Sequence, residues 1–222
     1  MERVSSAFVA RILFRVRALF YPLLLAVSAS ACSVYTGSAT TLKPAQLTEE
    51  PGWVRVQGVP ELRQKHELDC GPTALAMVLG YHGSVSKEVV LAELPEDKRS
   101  GVTELRDIAR KHGFDSFVVE GKPEDLVFEL ERGRPVIVGV AKPTVQDAVA
   151  HYEVVIGLHR DSQRIATIDP AAGLRQNTFQ GFFTEWQSAG RVLLVVIPKD
   201  ASAQPVAAAQ SAPASSSDAP GR

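Results

Sequence analysis

Two cysteines in 222 residues, Cys32 and Cys70, leave too little sulfur for a disulfide framework or a multi-cysteine zinc site. No HxxxH, CxxC or Gly-rich phosphate loop occurs in the sequence, so no metal, nucleotide or other cofactor is expected. The 24 Lys and Arg are balanced by 25 Asp and Glu, for a formal net charge of −1. That balance lacks the basic footprint of a nucleic-acid binder. Long apolar runs are missing as well. The run from Ala18 to Val27 is about half of the roughly 20 residues that a spanning helix needs. What is present is a hydrophobic fraction of 45%, ordinary for a globular domain and too high for a wholly disordered chain.

The two ends read differently from the middle. Arg3, Arg11, Arg15 and Arg17 precede the short apolar run, which ends in Ser28-Ala29-Ser30-Ala31 directly before Cys32. Residues 1–31 are therefore expected to be an export signal, the alternative being an uncleaved signal anchor. Ala29-Ser30-Ala31-Cys32 resembles a bacterial lipobox, which implies acylation of Cys32 and membrane attachment through lipid; the other reading is plain cleavage after Ala31. Ser33, in place of Asp, implies sorting to the outer membrane, facing the periplasm. Removing residues 1–31 takes away four Arg and Glu2, leaving 20 basic and 24 acidic residues and a net charge of −4. Residues 32–52 are rich in Ser, Thr and Gly without helix or strand period, and are expected to be a flexible tether. Residues 200–222 lack Leu, Ile and aromatic side chains and are expected to remain a disordered tail.

Residues 53–199 have the length of one domain. Helices are expected over Gly71–Tyr81 with Pro72 in the first turn, from a Thr103 cap to His112 with Gly113 closing it, and from Pro123 to a stop at Gly133. Val/Ile-rich runs at Phe114–Glu120, Pro135–Ala141, His151–Leu158, Arg164–Ile168 and Val192–Ile197 predict strands, with a hairpin turn at 160–163. Helices first and a mostly antiparallel sheet afterwards point to an α+β fold.

Cys70 is the one thiol of this region. Asp69-Cys70-Gly71-Pro72 puts its sulfur at a helix N-terminus, where unpaired N–H groups and the macrodipole favour a thiolate. Gly71 is expected to let a substrate backbone come close. Gln64 through Met77, His151-Tyr-Glu-Val-Val-Ile-Gly157, Asp169-Pro170-Ala-Ala-Gly173 and Phe182-Phe183-Thr-Glu-Trp186 then resemble, in order, the motifs of the C39 peptidase family. These are papain-like cysteine peptidases known from bacteriocin exporters, where they remove double-glycine leaders. The resemblance covers about residues 60–190. It implies a papain-like fold with N-terminal helices packed on the sheet. It also implies Cys70 as nucleophile, His151 as base, Asp169 as the group orienting the imidazole, and the Gln64 amide as an oxyanion donor. His66 is the other candidate base. Asp69 is expected to turn away and bond the main chain, and His66, His82, His112 and His159 to be solvated.

The ABC transporter of the best-known members does not accompany these motifs, so the substrate does not carry over with the fold. The expected activity is cleavage of a peptide or protein through a Cys70 acyl-enzyme, with an exporter or secretion system encoded nearby as a partner. Two alternatives stay open: a papain-like acyltransferase or transpeptidase, in which an amine outcompetes water, and a non-catalytic peptide-binding module that assists secretion.

Overall fold

The computed structural model describes residues 34–83, 86–94 and 99–199. The signal-like segment 1–31, Cys32 and the tail 200–222 lie outside the described residues. Among the described residues are six helices: α1 (Pro44–Glu49), α2 (Cys70–Tyr81), α3 (Lys87–Leu91), α4 (Val102–Lys111), α5 (Pro123–Glu131) and α6 (Phe179–Ser188). Eight strands accompany them: β1 (Thr40–Thr41), β2 (Trp53–Arg55), β3 (Phe114–Glu120), β4 (Val136–Pro143), β5 (Ala148–His159), β6 (Arg164–Asp169), β7 (Gly173–Thr178) and β8 (Val192–Pro198). No described helix is long and apolar enough to cross a membrane.

The strands form one antiparallel sheet in the order β1-β7-β6-β5-β4-β8-β3, with β2 paired to the far end of β5. The fold is α+β, as the element order implies. Strand β5 organises the sheet because it is twelve residues long. Its first part pairs with β4, the stretch from Val154 to His159 pairs with β6 across a bulge between Val155 and Gly157, and the end beyond the bulge also pairs with β2. Period-2 alternation then sorts its side chains. Val154 and Ile156 join Leu75, Met77 and Leu79 of α2 and Leu105 of α4 on one face. Val155 joins Val138, Leu126, Phe182 and Trp186 under α5 and α6 on the other. Helices thus cover both faces of the sheet. Each such side chain taken out of water contributes about 1.5–3 kcal/mol before ordering entropy is subtracted.

Helix ends follow local chemistry. The helices before Gly113 (φ 87°) and Gly133 (φ 68°) stop there because only glycine enters the left-handed region without strain. The N-cap of α4 is Gly101 rather than Thr103, and its N–H donates to Glu104 Oε2 at 2.8 Å. Gln163, at φ 48°, closes the 160–163 hairpin turn, with its N–H donating to the Arg160 carbonyl at 3.2 Å.

The flexible tether expected over 32–52 is corrected by the structure. From Tyr35 onward the segment belongs to the domain. Thr36 N donates to the Pro143 carbonyl at 2.9 Å, Ser38 Oγ bonds Asn177 Oδ1 at 2.5 Å, and β1 pairs with β7. Leu42 and Leu47 are buried in the core. The physical reason lies in β7, whose outer edge would otherwise expose unpaired N–H and C=O groups. A two-residue strand suffices to cover it and is too short to leave a periodic trace. Strands β2 and β7 are likewise absent from the expected set; the Arg175-Gln176-Asn177 run of β7 lacks the Val/Ile content that marks the others.

Candidate active site

Cys70 opens α2 after a single 3₁₀ turn, Glu67–Asp69. Pro72 sits in the first helical turn, where its missing N–H leaves no bond unmade. Asp69 turns back, as expected: its Oδ2 accepts from His66 N at 3.1 Å and Lys65 N at 3.3 Å. That keeps its charge away from the sulfur and fixes the approach of the chain to the helix. Cys70 itself is fully buried.

His151 lies early in β5, opposite Val140 of β4, and Asp169 is the last residue of β6. His151 Nε2 bonds Asp169 Oδ1 at 2.8 Å, and its ring acts electrostatically on the Cys70 thiol. An ionised carboxylate only accepts, so Nε2 carries a proton and Nδ1 is left for the sulfur. Asp169 Oδ1 accepts from Ala171 N at 2.7 Å and Ala172 N at 3.2 Å, an Asx turn that aims the carboxylate at the ring. The hairpin therefore joins His151 to Asp169, and the start of α2 sets the Cys70 sulfur close enough to feel the ring.

The electrostatics suit a thiolate–imidazolium pair. Burial pushes the Cys70 thiol up, but the His151 hydrogen bond and charge, the Tyr152 main chain and the Arg99 guanidinium together bring it below its ordinary value. Burial works against a charged His151, yet its bonds to Asp169 and Cys70 raise it to about 9. Asp169 is pushed up by burial and pulled further down by His151, Lys142 and the Ala171 N–H, so its carboxyl is held well below the usual range.

Gln64 is fixed next to the same turn. Its main-chain N–H donates to the Pro170 carbonyl at 2.9 Å, and its Nε2 donates to the His66 carbonyl at 3.1 Å. Among the described residues no hydrogen bond joins Gln64 to Cys70. Its Oε1 is buried without a hydrogen-bond partner. His66, the rival base, is exposed, and the imidazole that lowers the Cys70 thiol belongs to His151.

Expectations at four residues need correction. His159 is buried, not solvated, with its ring edge-on to Trp53 at 5.3 Å between centroids. His82 is half-buried between Tyr81 and Phe114, and the half-buried His112 bonds Glu93 Oε1 at 2.6 Å. Gly71 makes room for protein rather than leaving space for a substrate. A Cβ there would meet Leu105 Cδ1 and Tyr152 Cδ2, each at 3.1 Å.

Two functional neighbours escape sequence reasoning. Arg99 Nη1 donates to the Ala150 carbonyl at 2.8 Å and to Cys70 Sγ at 3.3 Å. It lies 29 residues from Cys70 in a polar stretch without motif, so no local signal marks it. The second is Lys142, whose side chain is 13% exposed and lies against Glu153, Asp169 and Glu185.

A model of the peptidase C39 family matches residues 59–201. The chain belongs to this family. Among curated proteins, the transport/processing ATP-binding protein ComA of Streptococcus pneumoniae is 33% identical over 126 residues. That match covers 55% of this chain and 17% of ComA, so the likeness concerns a small part of the relative. Solved C39 structures share the fold. A double glycine motif protease from an AMS/PCAT transporter, in complex with the leader peptide, superposes with a TM-score of 0.52 at 24% identity. The match covers 65% of this chain and 97% of that one. The peptidase domain of Streptococcus ComA gives 0.51 at 22%, covering 64% and 100%. A C39-like peptidase from Bacillus anthracis gives 0.52 at 19%, covering 66% and 98%. Family membership supports a cysteine peptidase.

Proposed function

We propose that the chain is a cysteine peptidase of the cell envelope, cleaving a peptide or protein through a thioacyl-enzyme on Cys70. The observation that carries this reading is His151 Nε2 bonded to Asp169 at 2.8 Å, with the ring lowering the thiol of Cys70 at the start of α2. The thiolate attacks the scissile carbonyl carbon, forming the C–S bond as the carbonyl electrons move to oxygen. His151, as imidazolium, gives its Nδ1 proton to the leaving amine when the C–N bond breaks. Neutral His151 then takes a proton from water, whose oxygen displaces the sulfur and releases a carboxylic acid. Asp169 keeps the ring in the tautomer that serves both steps. The Cys70 main-chain N–H at the start of α2 and the Gln64 amide are the proposed donors to the oxyanion. A single such donor contributed about 2.7–4 kcal/mol in another enzyme.

Cys32 is proposed as the acylated anchor, holding the protein to the outer membrane on its periplasmic side. The support is the sequence Ala29-Ser30-Ala31-Cys32 with Ser33 after it. The substrate is a peptide or protein that reaches the envelope, supplied by an exporter or secretion system. Since ComA is named for transport and processing, and a structural relative is a double glycine motif protease, peptides containing Gly-Gly form the first set to screen.

The test uses the full chain and a thiol-directed activity probe. Wild type and Cys32→Ser should be labelled, and Cys70→Ala should not. Cys32→Ser should leave the membrane fraction while retaining turnover on a peptide library, with products read by mass spectrometry. Equal labelling of wild type and Cys70→Ala defeats the proposal.

A further inference from the structure

Behind the Cys70–His151–Asp169 line lies a patch of buried charge that the mechanism above leaves unused. Glu153 and Glu185 are 2% and 4% exposed, and Asp169 is 6% exposed. Three carboxylates so far from water need a cation at hand. Lys142 of β4 supplies it. Its Nζ contacts Glu153 Oε1, reaches Glu185 Oε2 at 3.3 Å and lies 3.9 Å from Asp169 Oδ2.

Strand register explains the gathering. Val138 pairs with Glu153 and Val140 with His151, so Lys142, two residues beyond Val140, shares a face with both. Asp169 follows Ile168, the partner of Val154, and reaches the same face from β6. Helix α6 delivers Glu185 from above, and Glu185 is locked in turn. Its Oε1 accepts from Tyr35 Oη at 2.5 Å and from Asn177 Nδ2 at 3.4 Å. The Tyr35 ring lies beneath the ammonium, 5.1 Å from centroid to Nζ. His151, Glu153 and Asp169 also place one donor atom each within 4.8 Å of one another, a spacing that would suit a metal ion. Beside the His151 ring, the positive charge at this cluster is the Lys142 ammonium.

The two oxygens of Asp169 are thereby divided. Oδ1 takes the His151 ring and the turn N–H groups, and Oδ2 faces Lys142. We propose that Lys142 is a positioning residue for the reaction: fixed by Glu153 and Glu185, it holds Asp169 Oδ2 so that Oδ1 stays aimed at His151. This rests on the peptidase reading of the site. The groups facing Asp169 are His151 and Glu153 from β5, Lys142 from β4, Glu185 from α6 and the N–H groups of its own turn. Replacing the ammonium by a methyl-ended chain leaves three buried carboxylates with His151 as the remaining cation. With the ammonium no longer facing Oδ2, the Asp169 carboxylate is free to turn, and Oδ1 no longer stays aimed at His151.

The experiment follows alkylation of Cys70 by iodoacetamide from about pH 4 to about pH 10, which requires no knowledge of the substrate. Thermal unfolding is measured beside it. In Lys142→Met the rate near neutrality and below should fall by at least about tenfold, a loss typical of misplaced catalytic geometry. In the double variant Lys142→Met/Glu153→Gln, which removes one cation and one anion together, thermal stability should return while the alkylation rate stays low. A wild-type profile in either folded variant, or a double variant that regains rate along with stability, overturns the proposal. Should Lys142→Met fail to fold, the double variant alone decides. His151→Ala separates the two readings. If it leaves the alkylation profile unchanged, the thiol–imidazole pairing and the peptidase assignment fall. If it changes the profile while the Lys142 variants do not, the Lys142 inference alone falls.

Discussion

Arg99 makes the most quantitative prediction. Its guanidinium does two things to the sulfur that oppose each other when it is removed. As a cation 3.3 Å from Sγ it stabilises the thiolate. As a bulky group on a fully buried sulfur, fixed also to the Ala150 carbonyl, it hinders approach of a reagent. Arg99 is itself half-exposed, so water screens the attraction. With a bulk-water dielectric of about 80, unit charges at that distance attract by ~1.3 kcal/mol, roughly an eightfold change in an equilibrium. Arg99→Ala should therefore hold about eightfold less thiolate at any pH below the thiol's titration.

The pH dependence of alkylation separates the effects. On the acid side the rate follows the thiolate fraction, and Arg99→Ala should be slower by about that factor. On the alkaline plateau all of the sulfur is ionised, and the same variant should be faster than wild type because the sulfur is uncovered. Arg99→Lys should recover part of the acid-side loss. A profile for Arg99→Ala that superimposes on wild type at both ends would refute the reasoning, since neither the charge nor the cover would then matter. A slower plateau without an acid-side change would refute it too, because it would mean that Arg99 aids reagent approach instead of blocking it.

Other consequences are open to measurement. Turnover should be bell-shaped in pH: imidazolium persists below about 9, the raised value of His151, and is lost above it, while thiolate is lost below the lowered value of Cys70. Stability links to the same groups. The contribution of Asp169, whose folded value is depressed, is complete above the ordinary carboxylate value of about 4 and vanishes as pH falls through the folded one. Melting curves of Asp169→Asn and wild type should therefore converge toward acid and diverge toward neutrality. His151 contributes in the opposite sense, fully below about 6.5 and less as pH rises through about 9. Leu47→Ala should cost about 2–5 kcal/mol in urea unfolding, since the side chain is buried in the core cluster; a loss within experimental error would restore the tether reading of this segment. Gly71→Ala, with 3.1 Å contacts to Leu105 and Tyr152, should cost about 1–3 kcal/mol of overpacking.

What the sequence reveals and what it hides divide along physical lines. The helices before Gly113 and Gly133 and the strands with Val/Ile runs carry strong local signals, and they lie within a residue or two of their expected ends apart from the longer β5. Cys70 is marked by being a lone thiol beside a helix start, and His151 and Asp169 by flanking a hairpin that must bring them together. His159 reads as solvated because it sits beside a polar turn; its burial depends on pairing with Trp53 through β2, a contact more than a hundred residues distant in sequence. Segment 35–50 fails for a related reason. Its order comes from the β7 edge and from Leu42 and Leu47, and neither shows up as periodicity.

Lys142 marks the limit most clearly, because strand pairing and not any motif decides where its ammonium lies. In sequence it is a lysine near a strand end followed by Pro143, the usual description of an exposed edge residue. Register alone reverses that reading, since pairing Val140 with His151 drops the ammonium among three acids. A buried lysine with a single carboxylate would be poor evidence of anything, because desolvation can cancel the attraction. Here the number of acids exceeds the number of lysines, so the surplus negative charge has to be met by His151. Contact with Asp169 and Cys70 is what favours imidazolium beside the sulfur, and the proposed hold of Lys142 on Asp169 would connect the burial of Glu153 and Glu185 to the reactivity of Cys70. Glu185→Gln should then lower the alkaline limb of turnover, because one negative charge fewer makes imidazolium easier to discharge. An unchanged alkaline limb in a folded Glu185→Gln protein would show that the network acts by packing and not by charge.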